Sequence, residues 1–128
     1  MDKENIGRLL LRIGLGIVFI WFGIDKFLRP ELWEGWIPIL IQSILQSKVL
    51  TFLYFLGVFE VIIGVLVLVG FYTRVAAGIA ALFLFAVVLS SFSGEILVRD
   101  IGLIFLALGI VVLGSEKYSV GYSKRQKL

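Results

Sequence analysis

Five ionisable residues stand within or at the edge of long apolar runs: Asp25 and Lys26, then Glu60, then Arg99 with Asp100. On insertion scales a charge at bilayer depth is unfavourable by roughly 2.5–3.5 kcal/mol, so each needs a partner, a proton or a wet cavity. Acids and bases alternate in this set. The chemistry open to it is ion pairing, hydrogen bonding to a polar headgroup and proton exchange, which makes the five a candidate ligand-binding pocket. No residue among them identifies itself as catalytic. The chain has neither Cys nor His, which excludes disulfides, thiol chemistry, a Cys/His zinc site and histidine ligation of haem or copper. No metal site is expected, and a redox cofactor must be organic or lie in another chain.

The elements that position these residues follow from composition. Of 128 residues, 60% are hydrophobic and 16% charged, with mean hydropathy +1.07, against about 45–50% apolar and about 25% charged in soluble domains. A crossing helix needs roughly 20 residues, so four crossings use nearly the whole length as one membrane domain, residues 1–128. The spans expected are about 6–28, 49–70, 75–92 and 96–114, followed by a polar, basic tail at 115–128. The fold class is all-α: a polytopic four-transmembrane-helix bundle. No small-residue cleavage signature follows the first span, which is expected to be a retained helix.

Between the first two spans, about 31–46, Trp33, Trp36, Ile37, Leu40, Ile41, Ile44 and Leu45 recur at helical spacing. That pattern predicts a short helix in the interface, where indole favours the headgroup level, with a kink or restart at Pro38. Eight of the twelve basic residues fall on the side shared by the termini, which places both termini in the cytoplasm of a cell-membrane protein. The net charge of +3 is then a topology signal and an attraction to anionic lipid, and gives no reason to expect nucleic acid.

Glycines recur seven apart on three of the spans, as Gly16 and Gly23, Gly57 and Gly64, Gly102 and Gly109. Seven residues is about two turns, hence one face, and small residues let backbones approach where lipid supplies no hydrophobic drive. These six glycines are expected to face inward for helix packing. Lys26 and Glu60 share the glycine stripes, and Arg99 precedes Gly102 by three. Glu60 lies about 16 Å from the cytoplasmic boundary, and its lean along a descending helix converges with that of Lys26 on an ascending one. Arg12, about 9 Å from that boundary, is expected to snorkel to the headgroups. Phenylalanine is scattered across the spans, and no single ring claims a stacking role.

Arg12 to Phe27 (RIGLGIVFIWFGIDKF), Gly57-Val58-Phe59-Glu60 with Gly64, Gly70 to Arg74 (GFYTR), Arg99-Asp100 and Tyr118-Ser119 together resemble the DoxX family of small prokaryotic four-helix membrane proteins. The resemblance implies a bundle associated with quinone-linked oxidoreductase systems, with Lys26, Glu60, Arg99 and Asp100 at the family's polar positions and Arg12 and Arg74 at its basic ones. It also implies two departures. Phe22 stands where many relatives carry His, and Val120-Gly121 follows the terminal Ser where they carry an acid.

The expected function is therefore an integral membrane subunit of a respiratory or redox assembly, with a polar pocket for a quinone and no covalent cofactor. Its expected partners are the bilayer and other redox subunits or copies of itself, because the chain holds no evident electron donor and would be redox-active only beside one. Two alternatives stay open: a non-catalytic scaffold or assembly factor whose buried charges are structural, and a small-molecule carrier.

Overall fold

Long, continuous apolar runs without strand-like alternation make long helices, which satisfy every backbone N–H and C=O within the segment. The computed structural model describes residues 3–90 and 94–114. It places there α1 (Lys3–Leu28), α2 (Pro30–Glu34), α3 (Ile39–Leu45), a 3-10 turn at Gln46–Lys48, α4 (Val49–Val69), α5 (Thr73–Ser90) and α6 (Gly94–Leu113). Every element among the described residues is helical. Among the described residues three stretches are long and apolar enough to cross a membrane: Lys3–Leu28, Ile39–Val69, which ends in α4, and Thr73–Ser90. In α6 Glu95, Arg99 and Asp100 fall within the first two turns, and an apolar run follows to Leu113. The tail 115–128, with Tyr118-Ser119 and Val120-Gly121, lies outside the described residues.

The helices pair as two hairpins, α1 with α4 and α5 with α6, and contacts between the hairpins are sparser. Both hairpins close in the same way. The second helix of each ends at a left-handed glycine, Gly70 (φ 79°) and Gly114 (φ 76°), a conformation that lets the last turn bond back on itself. The Gly70 and Gly114 amides donate to the Leu66 and Ile110 carbonyls at 3.0 and 2.8 Å. An arginine from the first helix then satisfies carbonyls of the last turn. Arg12 Nη1 donates to Val67 O and Leu68 O at 3.1 and 2.6 Å, and Arg74 Nη2 makes a longer bond of 3.4 Å to Val112 O. Arg12 is therefore 2% exposed and corrects the expected snorkel: four carbonyls at a helix C-terminus lack intrahelical donors, and α4 offers them nearer than any headgroup.

Glycine packing is real on α1 and α4 and absent on α6. A Cβ on Gly23 would lie 2.6 Å from Gly57 O, and one on Gly57 would lie 2.8 Å from Gly23 O. Gly16 and Gly64 form a second such pair, at 3.0 and 2.9 Å. Backbones this close need both partners to lack a side chain. On α6, by contrast, a Cβ on Gly102 or Gly109 would meet no atom within 4 Å, which overturns their expected packing role. The inward stripe of α6 runs instead through Asp100, Leu103, Ala107, Ile110 and Gly114 in steps of three and four. Gly102 and Gly109 each sit one residue, about 100°, off it. The small residues at the α5–α6 contact come from Ala76, Ala77, Ala80 and Ala81 of α5, with Ala107.

The connector after α1 is two short helices rather than one. Pro38, without an N–H and with φ fixed, starts α3 afresh after α2 has ended at Gly35. Gln42 Nε2 ties them together by donating to Glu34 O and Ile37 O at 3.2 and 2.7 Å. The restart splits the expected apolar stripe: Ile37 is buried and Trp33 and Ile41 half-buried, while Leu40 and Ile44 are each 72% exposed.

Along α1, α4 and α6 the interior changes character. Leu15 and Phe19, Ile63 and Val67, Ala76 to Ala81, and Ala107 with Ile110 form one apolar core at the end where α1 and α5 begin. Toward α2 and α3 the same inner faces carry Lys26, Glu60 and Asp100 instead.

Candidate functional site

Lys26 lies three residues beyond Gly23 on α1, and Glu60 three beyond Gly57 on α4. The close Gly23–Gly57 contact thus holds both side chains near the hairpin axis on a shared face. Lys26 Nζ and Glu60 Oε1 meet at 2.6 Å, with side chains only 6% and 3% exposed. The contact is an ion pair in which Oε1 lacks a well-directed hydrogen bond. The indole of Trp33 covers the ammonium, 3.8 Å from Nζ to the ring centroid.

Trp33 has a second duty. Its Nε1 donates to Asp25 Oδ2 at 3.0 Å, and Arg29 grips the same carboxylate at both oxygens, Nε to Oδ1 at 2.8 Å and Nη2 to Oδ2 at 3.0 Å. That carboxylate raises the Arg29 guanidinium above its ordinary range through the paired hydrogen bonds and its charge. Asp25 is buried and faces the α1–α2 junction, so it clasps α2 to the end of α1 and contributes nothing to the pocket wall.

On α6 Arg99 Nε donates to Asp100 Oδ1 at 3.0 Å, with the Arg99 side chain 38% and that of Asp100 2% exposed. The guanidinium lies 4.6 Å from the Phe22 ring centroid, and the Phe22 and Trp33 centroids are 5.5 Å apart. Phe22 at this position serves as a cation–π platform and has no proton to relay.

These groups border one cavity of about 450 Å³ between the hairpins, walled by Lys26, Glu60, Arg99 and Asp100 and by Phe19, Phe22, Trp33, Trp36, Leu53 and Phe83, among others. That size is within the roughly 300–1,000 Å³ typical of small-molecule sites. Two cations and two anions on the polar wall cancel, so a guest without net charge meets no uncompensated field. Such a wall can donate from Lys26 and Arg99 and accept at Glu60 and Asp100. Among the described residues no group of acids is placed to hold a metal ion.

A family model for DoxX matches residues 7–92, about two thirds of the chain. The chain belongs to the DoxX family. The DoxX match takes in α1 to α5, and with them Lys26, Glu60 and the aromatic wall. It ends before Arg99 and Asp100, whose membership of the site rests on geometry alone. No curated protein and no solved structure matches the chain. Sequence reasoning set the Trp33 and Trp36 helix over the charged cluster of this DoxX chain and missed the phenylalanine wall. Phe19, Phe22 and Lys26 follow steps of three and four on α1, a signal present in the sequence. The contact of Trp33 with Lys26 carried no such signal, since it depends on where α2 folds back.

Proposed function

We infer that this DoxX protein is a four-crossing membrane subunit of a respiratory or redox assembly whose inter-hairpin pocket receives a quinone headgroup. The observation that carries the ligand reading is the charge-neutral, two-ion-pair wall facing aromatic and aliphatic walls in one cavity. Quinone carbonyls accept hydrogen bonds, for which Lys26 and Arg99 are donors. The tail is soluble among apolar helices, and Glu60 is placed to exchange a proton when electrons arrive from a partner. Four crossings put both termini on one side, and the eight-to-four division of basic residues favours the cytoplasm.

Trp33 and Trp36 line the cavity, so their fluorescence reports occupancy. Titration of the nanodisc-embedded chain with a short-tailed quinone should give saturable quenching that weakens in Arg99→Leu and Glu60→Gln. Linear quenching, equal in all three proteins, would mean partition into lipid only and would refute the ligand reading. Mass spectrometry of polypeptides and lipids co-purifying from native membranes tests the assembly.

The scaffold reading is supported by one observation: Lys26, Glu60, Asp25, Arg99 and Asp100 are all paired within the chain. Under it Glu60→Gln lowers thermal stability and leaves a cellular redox phenotype intact at matched protein levels.

A further inference from the structure

Four of the cations that make fixed contacts among the described residues are arginines. Arg29 holds Asp25, Arg99 holds Asp100, Arg12 caps α4 and Arg74 caps α6. The exception is Lys26, the one buried lysine among the described residues, which shares the cavity wall with Arg99 and has a carboxylate as its partner. The difference is chemical. Arginine stays protonated in proteins, whereas an enclosed lysine can surrender its proton and become a nucleophilic amine.

We propose that Lys26 captures apolar aldehydes from the membrane as a reversible imine, with Glu60 as proton acceptor, proton donor and counter-ion. The inference rests on the pocket's holding a ligand and does not depend on that ligand being a quinone. In the first step the Lys26 ammonium passes a proton to the Glu60 carboxylate, 2.6 Å away. The free amine then attacks the carbonyl carbon: an N–C bond forms, the C=O π pair moves to oxygen, the Glu60 acid protonates that oxygen, and its carboxylate takes a proton back from the now cationic nitrogen, leaving a neutral carbinolamine beside the Glu60 acid. The Glu60 acid protonates that hydroxyl, the C–O bond breaks, and water leaves. The nitrogen lone pair completes a C=N bond. The product is a protonated imine beside a carboxylate, so the site begins and ends as one cation and one anion, and no oxidant or reductant is consumed.

The surroundings favour each stage. Trp33 covers the nitrogen at 3.8 Å, and Phe19, Phe22 and Leu53 line the space next to it, which limits the water that would reverse the condensation. The Trp33 ring also stabilises the cationic imine. Arg99, across the same cavity, is a donor for the carbonyl oxygen as negative charge builds on it.

The test uses the full chain in nanodiscs with dodecanal as probe, cyanoborohydride to trap the imine by hydride addition, and peptide mass spectrometry to map adducts. Lys3, Lys26, Lys48, Lys117, Lys124 and Lys127 are compared within one sample. Trapping is expected first at Lys26, slowed about 100-fold by Glu60→Gln and absent from Lys26→Arg, a variant that retains the charge and whose fold is checked by circular dichroism. A hydrophilic aldehyde such as glyoxylate should leave Lys26 unmodified while it labels other lysines. Labelling of the other lysines alone by dodecanal would overturn the proposal. If a short-tailed quinone still quenches Trp33 and Trp36 saturably in that case, the pocket reading survives and only the imine is lost. Absence of both signals would overturn the two together.

Discussion

The Gly23–Gly57 contact makes a sharp prediction because the same substitution has opposite signs at two sites. At Gly57 an added Cβ would lie 2.8 Å from both Gly23 O and Phe27 Cε2, and at Gly23 it would lie 2.6 Å from Gly57 O and Val61 Cγ2. Ordinary van der Waals contact begins near 3.4 Å, so the shortfall is most of an ångström. The obstructing atom is in each case a carbonyl oxygen of the opposite backbone, which cannot rotate away as a side chain would. The helices must part. Overpacking of this kind costs about 1–3 kcal/mol, whereas replacing glycine by alanine in an unobstructed helix gains up to about 1 kcal/mol. Gly102 is unobstructed. Gly57→Ala and Gly23→Ala should therefore fall below Gly102→Ala by about 2 kcal/mol or more. Equilibrium unfolding in mixed micelles at rising fractions of denaturing detergent, followed by circular dichroism, measures the difference. Equal stability of Gly57→Ala and Gly102→Ala would refute the reasoning and return Gly102 to the packing face that its spacing suggested.

Lys26→Met should lose about 3–5 kcal/mol because it strands Glu60 in the interior, and adding Glu60→Leu should restore most of the loss; a double variant as unstable as the single one in the same assay would deny that the stranded charge is the cause. Arg12→Leu removes the donors to Val67 O and Leu68 O, with an expected loss of about 1.5–3 kcal/mol and faster amide exchange confined to the last turn of α4. Trp33→Phe keeps a ring over Lys26 but drops the bond to Asp25, so it should lose about 1 kcal/mol, and Trp33→Leu should lose more because the cation–π contact goes too; equal losses in thermal denaturation would remove Trp33 from the site. A reporter fused after Leu128 should be active only in its cytoplasmic form and one inserted at Ser47 only in its external form, the reverse pattern contradicting the proposed orientation.

Class and elements were legible in the sequence because they depend on local composition. Continuous apolar runs of about 20 residues, without the alternation of barrel strands, read as helices in lipid, and the ends of α4 and α6 are written as Gly70 and Gly114. The Lys26–Glu60 pair was legible too. Each residue lies one turn beyond a contact glycine, in opposite directions along the antiparallel hairpin, and the lean of both side chains toward their own helix N-termini closes the gap. Periodicity, however, fixes the relative angle of residues on a helix and leaves open which angle faces inward. Gly102 and Gly109 satisfied the same seven-residue rule as the α1 and α4 glycines and point elsewhere, because the alanines of α5 already supply the small surface that α6 needs. Arg12 likewise has reach enough for either the headgroups or a neighbouring helix end, and only the position of α4 beside it decided the matter. The contact of Trp33 with both Asp25 and Lys26 depends on the path of α2 after Arg29. No spacing encodes that path: it is set by where two hairpins, each closed by its own arginine, leave room between them.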